Sequence, residues 1–320
     1  MKKYLSEVFE KELKSGLLNP YFDIANTLLP SIDYIAKLDY ILTKECSVKT
    51  KNPFLYASKY IEEKHPTYYP EFARMWQANE IHVSNYESDN AECDSYTGEI
   101  WAGKSCTILD DLNLVHEFFH HQNLTPINKG GKNSFTRELF GEAISITAQF
   151  DFIKFLEKTN LCEDALIVKI TYLNDCIKSA RKIMVELILI ELYKLNGKIT
   201  DEIVKKYISY CKDEKLAIII DEEYEDVLTS IGNWGANFKF PFNLKYFLGI
   251  IIGCHLSNLV NENQKKWEDI YIINKHFYYI NEEEFLNKAG IKLDNDDLLL
   301  VFTEHFQRAD LMNDNFKKQK

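Results

Sequence analysis

The stretch "LVHEFFHHQN", residues 114–123, places His116 and His120 four positions apart, with Glu117 directly after the first. Residues four apart on an α-helix share a face, so the two imidazoles can aim at a single point. Zinc accepts neutral imidazole nitrogens, and a hydrolytic site wants three protein ligands with one position left for water. Glu117 then stands where a general base toward a metal-activated water is needed. The competing reading is an ordinary amphipathic helix that carries histidines in its core and on its surface. Asp110 and Asp111 precede the motif at the expected helix start, where carboxylates favour the positive end of the helix dipole.

The next helical pattern, "FTRELFGEAISITAQFDFIKFL" (135–156), carries Glu138 and Glu142 on one face, 18 and 22 positions beyond His120. Both sit among Leu139, Phe140, Ala143, Ile144 and Ile146, where burying an unpaired carboxylate is costly. Antiparallel packing of this helix on the motif helix would bring one carboxylate to the metal. Gly141 would allow the backbones to approach closely. Glu142 is taken as the third ligand and Glu138 as a neighbour that supports it. The expected cofactor is one Zn2+ ion held by His116, His120 and Glu142.

Outward from these two helices, helical periodicity dominates. Residues 2–17, 20–45, 53–64 and 69–79 read as helices, with Pro20, Pro30, Pro53 and Pro70 marking starts or kinks. "EIHVSNYES" (80–88) and "GEIWAGKSCTI" (99–109) alternate as strands do, separated by the polar loop "DNAECDSYT". Helical pattern resumes over 110–124, 135–158, 163–195, 200–212, 221–232, 241–263, 265–278, 282–289 and 295–312, and "TPINKGGKN" (125–133) is the clearest breaker cluster. The expected fold is mostly α, with one small β-sheet beside the HExxH helix. A helical region over 1–79 would be followed by a catalytic region over 80–320.

Composition sets outer limits. The chain has 320 residues, 46% hydrophobic and 27% charged, a globular balance able to bury a substantial core. A net charge of −11 argues against nucleic-acid or anionic-membrane partners. Cysteines at 46, 93, 106, 162, 176, 211 and 254 form no CxxC pair, which fits reduced thiols in a cytoplasmic protein. The first residues lack the apolar run of a signal peptide, although export without one stays open. "YFLGIIIGCHLSNLV" (246–260) is too short to span a bilayer and reads as a buried helix.

"LDDLNLVHEFFHH" (109–121), followed by "LFGEAIS" (139–145), resembles the oligoendopeptidase F branch of the thimet oligopeptidase-like zinc metallopeptidases. "NFKFPFNLKYFLGIIIG" (237–253) is similar to that family's aromatic segment, and "EEEFLNKAGIKLDNDDLLLVFTEHFQRADL" (282–311) to its closing segment. The likeness covers about residues 80–320, a shortened catalytic portion. It implies a gluzincin-type helical peptidase with a channel-like cleft, acting as a zinc endopeptidase on oligopeptides or flexible segments. Tyr246 matches a family tyrosine that can donate a hydrogen bond to the oxyanion. Ala236 and Phe238 stand where the family's His-x-Tyr would add further donors; Asn237 and His255 are candidate substitutes, although the plainer reading of each is a helix cap or a satisfied core residue. In gluzincins a strand beside the motif helix pairs with the substrate backbone. That makes "GEIWAGKSCTI" an expected edge strand and Trp101, Ala102 and Gly103 substrate-binding candidates.

Other features carry less. "WAGKSC" lacks the upstream glycine of a P-loop. His121 points about 100° away from His120 and is not expected to be a ligand. Cys106 and Cys254 have no companion base. Tyr96, Trp101, Trp234 and Phe242 are candidates for lining a cleft. Two alternatives to a general peptidase stand: a narrow-specificity metalloprotease effector or toxin acting on one protein target, and a zinc-retaining peptide-binding protein without catalysis. Retention of Glu117 argues against the second, because structural zinc needs no base.

Overall fold

A computed structural model of the chain describes residues 19–41, 54–83, 91–94, 97–103, 107–124, 135–159, 161–233, 242–262 and 292–304, together with Lys266, Trp267, Asp269, Leu286, Asn287 and Gly290. At 20, 123–124, 135–141, 231–233 and 242 the description is of backbone alone. Expectations for helices over 2–17, 265–278 and 282–289 lie wholly or largely outside these residues, as does the loop 125–133.

The described chain is mostly helical, with one three-stranded sheet. The helices are α1 (Asn19–Thr27), α2 (Leu29–Ala36), α3 (Leu55–Lys64), α4 (Tyr69–Gln77), α5 (Ile108–Leu124), α6 (Phe135–Leu156), α7 (Cys162–Asn196), α8 (Asp201–Tyr210), α9 (Glu214–Asn233) and α10 (Phe242–Asn261). The strands are β1 (Ile81–Val83), β2 (Glu92–Cys93) and β3 (Ile100–Ala102). Residues 295–304 are also helical. No helix among the described residues is long and apolar enough to cross a membrane.

The chain divides into two compact units. The first comprises 1–40, 174–248 and 293–300, and the second 41–173, 249–292 and 301–320. The early helices α3 and α4 belong with the motif helix for a local reason. Asp111, on α5, accepts a hydrogen bond at 2.7 Å from the backbone N–H of Ala57, in the first turn of α3. Phe54 precedes α3 with a left-handed backbone and supplies no side-chain cap, so a carboxylate from another helix meets that unsatisfied donor.

In the first unit, the expected helix over 20–45 is two helices. Pro30 falls within the first two positions of α2, where its missing N–H costs nothing, and the chain breaks before it rather than bending through it. The Arg181 guanidinium donates to the carbonyls of Ala36 and Leu38, each at 3.0 Å, closing the C-terminal end of α2. Helix α9 begins well before the expected residue 221, because the Asp213 carboxylate accepts from the Leu216 N–H at 3.1 Å and caps it.

In the second unit, α5 starts at a capping box. Thr107 Oγ1 accepts from the Leu109 N–H, while Asp110 Oδ2 accepts from the Thr107 N–H, each at 3.3 Å. Leu112, Leu114, Val115, Phe118 and Phe119 are buried, whereas His116, Glu117 and His120 keep some exposure. Helix α6 is buried on all sides from Glu142 to Phe150, as an element at the centre of a core must be.

β3 is the central strand, not an edge. It pairs in parallel with β1 (Trp101 opposite His82) and antiparallel with β2 (Trp101 opposite Glu92). The expected polar loop supplies β2 because a tight turn returns it onto β3. Asp94 accepts from the Thr97 and Gly98 N–H groups at 2.8 Å each, and Gly98 takes φ of +76°. A side chain at Gly98 would be strained, and its Cβ would lie 2.9 Å from His121 Nδ1.

Candidate metal centre

Helices α5 and α6 pack antiparallel: His120 meets Glu142, while His116, one turn earlier, meets Gln149, two turns later. The arrangement brings three ligating atoms together. His116 Nε2 and His120 Nε2 are 2.8 Å apart, and Glu142 Oε2 lies 3.1 Å from the first and 3.2 Å from the second. Among the described residues this is the one cluster of histidine, cysteine and acidic side chains arranged to hold a metal ion.

The donor set fits zinc. Tetrahedral bonds of 2.0–2.1 Å put neighbouring donors about 3.3 Å apart, so the side chains would shift by only a few tenths of an ångström. Two imidazoles and one carboxylate is a hydrolytic donor set that leaves a position open. Burial works against a charged His116 ring, yet its hydrogen bond to Glu142, the charges of Glu117 and Glu142, and Gln149 outweigh that and raise its pKa.

Glu142 is 6% exposed, and its position depends on a close helix contact. A Cβ on Gly249 of α10 would lie 3.0 Å from Glu142 Cβ, and one on Gly253 would lie 3.0 Å from the backbone nitrogen of Thr147. These two glycines bring α10 close to α6, whereas Gly141, expected to let α5 and α6 approach, is described by backbone alone. Glu138 is likewise described by backbone alone, on α6 one turn before Glu142.

Glu117 is half-buried on α5 and close enough to Cys93 of β2 that, after burial, its charge is the next cause pushing the Cys93 thiol up to about 12. This thiol beside the candidate base had no sequence signal. His121 faces away from the cluster, as expected, with Nδ1 2.8 Å from the Gly98 carbonyl oxygen and Nε2 3.3 Å from Glu71.

Trp101 is 41% exposed and stacks on His82 with ring centroids 4.6 Å apart, while Ala102 and Gly103 are buried. With β3 internal to the sheet, Ile100 and Trp101 have strand partners on both sides. Tyr246 belongs to the first unit, half-exposed, with the Lys245 ammonium 5.3 Å from its ring centroid. His255 is half-buried on α10. Tyr96, Cys106, Trp234, Ala236, Asn237 and Phe238 lie outside the described residues, and Phe242 is described by backbone alone.

No family model matches this chain, and neither a curated protein nor a solved structure matches it.

Proposed function

We propose that the chain is a zinc-dependent endopeptidase of gluzincin type, related to the oligoendopeptidase F group, acting on oligopeptides or flexible segments in the cytoplasm. The observation that carries this reading is the convergence of His116 Nε2, His120 Nε2 and Glu142 Oε2. His116, His120 and Glu142 hold one Zn2+. Bound zinc would supply an acidified water and a polarised scissile carbonyl. Glu117 follows a ligand on the same helix and keeps some exposure. It accepts the proton of the attacking water and returns it to the leaving amine. No disulfide joins the five described cysteines to one another.

The test is a digest of an unstructured peptide library by the purified full chain, with and without chelator, followed by zinc restoration. Internal cleavage that chelator stops and zinc restores supports the reading. Zinc uptake without any cleavage would favour the non-catalytic binding protein. Cleavage of one folded protein but no peptides would favour the narrow-specificity effector.

A further inference from the structure

Gln149 lies seven residues after Glu142 on α6, two turns along the same face, and is 2% exposed. Its amide nitrogen donates to the Leu112 carbonyl at 3.2 Å, and its Oε1 stands 2.7 Å from His116 Nδ1. A carbonyl oxygen only accepts, so the amide has one workable orientation here, with NH2 toward Leu112 and Oε1 toward His116. Oε1 also only accepts, so the proton between it and the ring must sit on Nδ1.

We propose that Gln149 is a positioning residue that, itself oriented by the Leu112 carbonyl, holds His116 with its proton on Nδ1 and its Nε2 turned toward the ligand cluster. Leu112 is one turn before His116 on α5. The backbone of the motif helix therefore dictates, through a side chain of the neighbouring helix, which ring nitrogen is offered to a cation. Of the close isosteres, glutamate keeps the acceptor but sets an oxygen against the Leu112 carbonyl, and methionine provides neither hydrogen bond. The consequence for metal affinity rests on the zinc reading above, whereas the hydrogen bond does not.

Two measurements on the full chain test it. With 15N-labelled histidine, the wild type should show a slowly exchanging His116 imidazole proton on Nδ1, in metal-free and zinc-loaded protein alike, and Gln149→Met should lose it. In competition with a chromogenic chelator, Gln149→Met should bind Zn2+ about 10–100-fold more weakly, and Gln149→Glu should stay within about tenfold of wild type. A His116 ring with no proton on Nδ1, or zinc affinity unchanged in Gln149→Met, overturns the proposal. If the wild type takes up no zinc, the metal reading fails while the imidazole spectrum still decides this one. Should Gln149→Met not fold, the wild-type spectrum and Gln149→Glu decide it.

Discussion

Replacing Asp111 with asparagine should remove a defined part of the protein's pH dependence. Asp111 is fully buried on α5, its Oδ1 accepting from Ala57, while Oδ2 has no hydrogen-bond partner among the described residues. Burial pushes its carboxyl from 3.8 up to about 7, against the lowering effect of the Ala57 and Tyr56 N–H groups. Because the folded pKa exceeds the unfolded one, this contribution to stability is complete below about pH 4. It is lost as pH rises through about 7. The full displacement corresponds to about 4 kcal/mol. The Asp111→Asn side chain would keep the acceptor for Ala57 and stay neutral throughout. Urea unfolding between pH 4 and pH 8.5 should therefore show the wild type losing about 4 kcal/mol relative to Asp111→Asn. Other titrating groups cancel in that difference. Parallel curves would mean that Asp111 is solvated or ionised in the fold, and the capping geometry would be wrong.

Three further outcomes follow from other contacts. Glu186 in the first unit is 3% exposed, accepts from Asn243 Nδ2 at 2.6 Å, and is pushed up to about 7 by burial. Glu186→Gln should remove about 3 kcal/mol of destabilisation that the wild type acquires between pH 4.5 and pH 8, and an unchanged pH slope in urea would contradict it. Gly253→Ala puts a Cβ 2.8 Å from Ile146 Cγ2 and should cost about 1–3 kcal/mol by overpacking, so a wild-type melting temperature would count against the close α6–α10 contact. Glu117→Gln should keep zinc yet lose about 10²–10⁴-fold or more in peptide hydrolysis, and undiminished turnover would remove Glu117 from the mechanism.

What the sequence made legible follows from how local each cause is. His116 and His120 share a face through helix geometry alone, and Glu142 announced itself as a carboxylate in an apolar run that needed a partner. Gln149 carried no comparable signal, because an uncharged amide in a buried helix has many uses and its partner lies on another helix. The pairing of Asp111 with α3 was hidden for the same reason. Both aspartates read as local N-terminal charges, but only Asp110 acts locally. The GIIIG spacing of Gly249 and Gly253 stands in the sequence, but which helix such a pair packs against is not a local property. β2 was missed because two residues are too few for alternation to register, and its pairing made β3 internal. The two interleaved units follow from which helices meet in space, which sequence order does not record.

The most direct measurement is a zinc titration of the metal-stripped 320-residue chain, read by metal analysis after removal of unbound ion, with Glu142→Ala beside the wild type. Uptake of one ion per chain by the wild type, with much weaker retention in Glu142→Ala, is the expected result. A wild type that retains no zinc, or a Glu142→Ala protein that retains it equally well, would contradict the three-ligand centre.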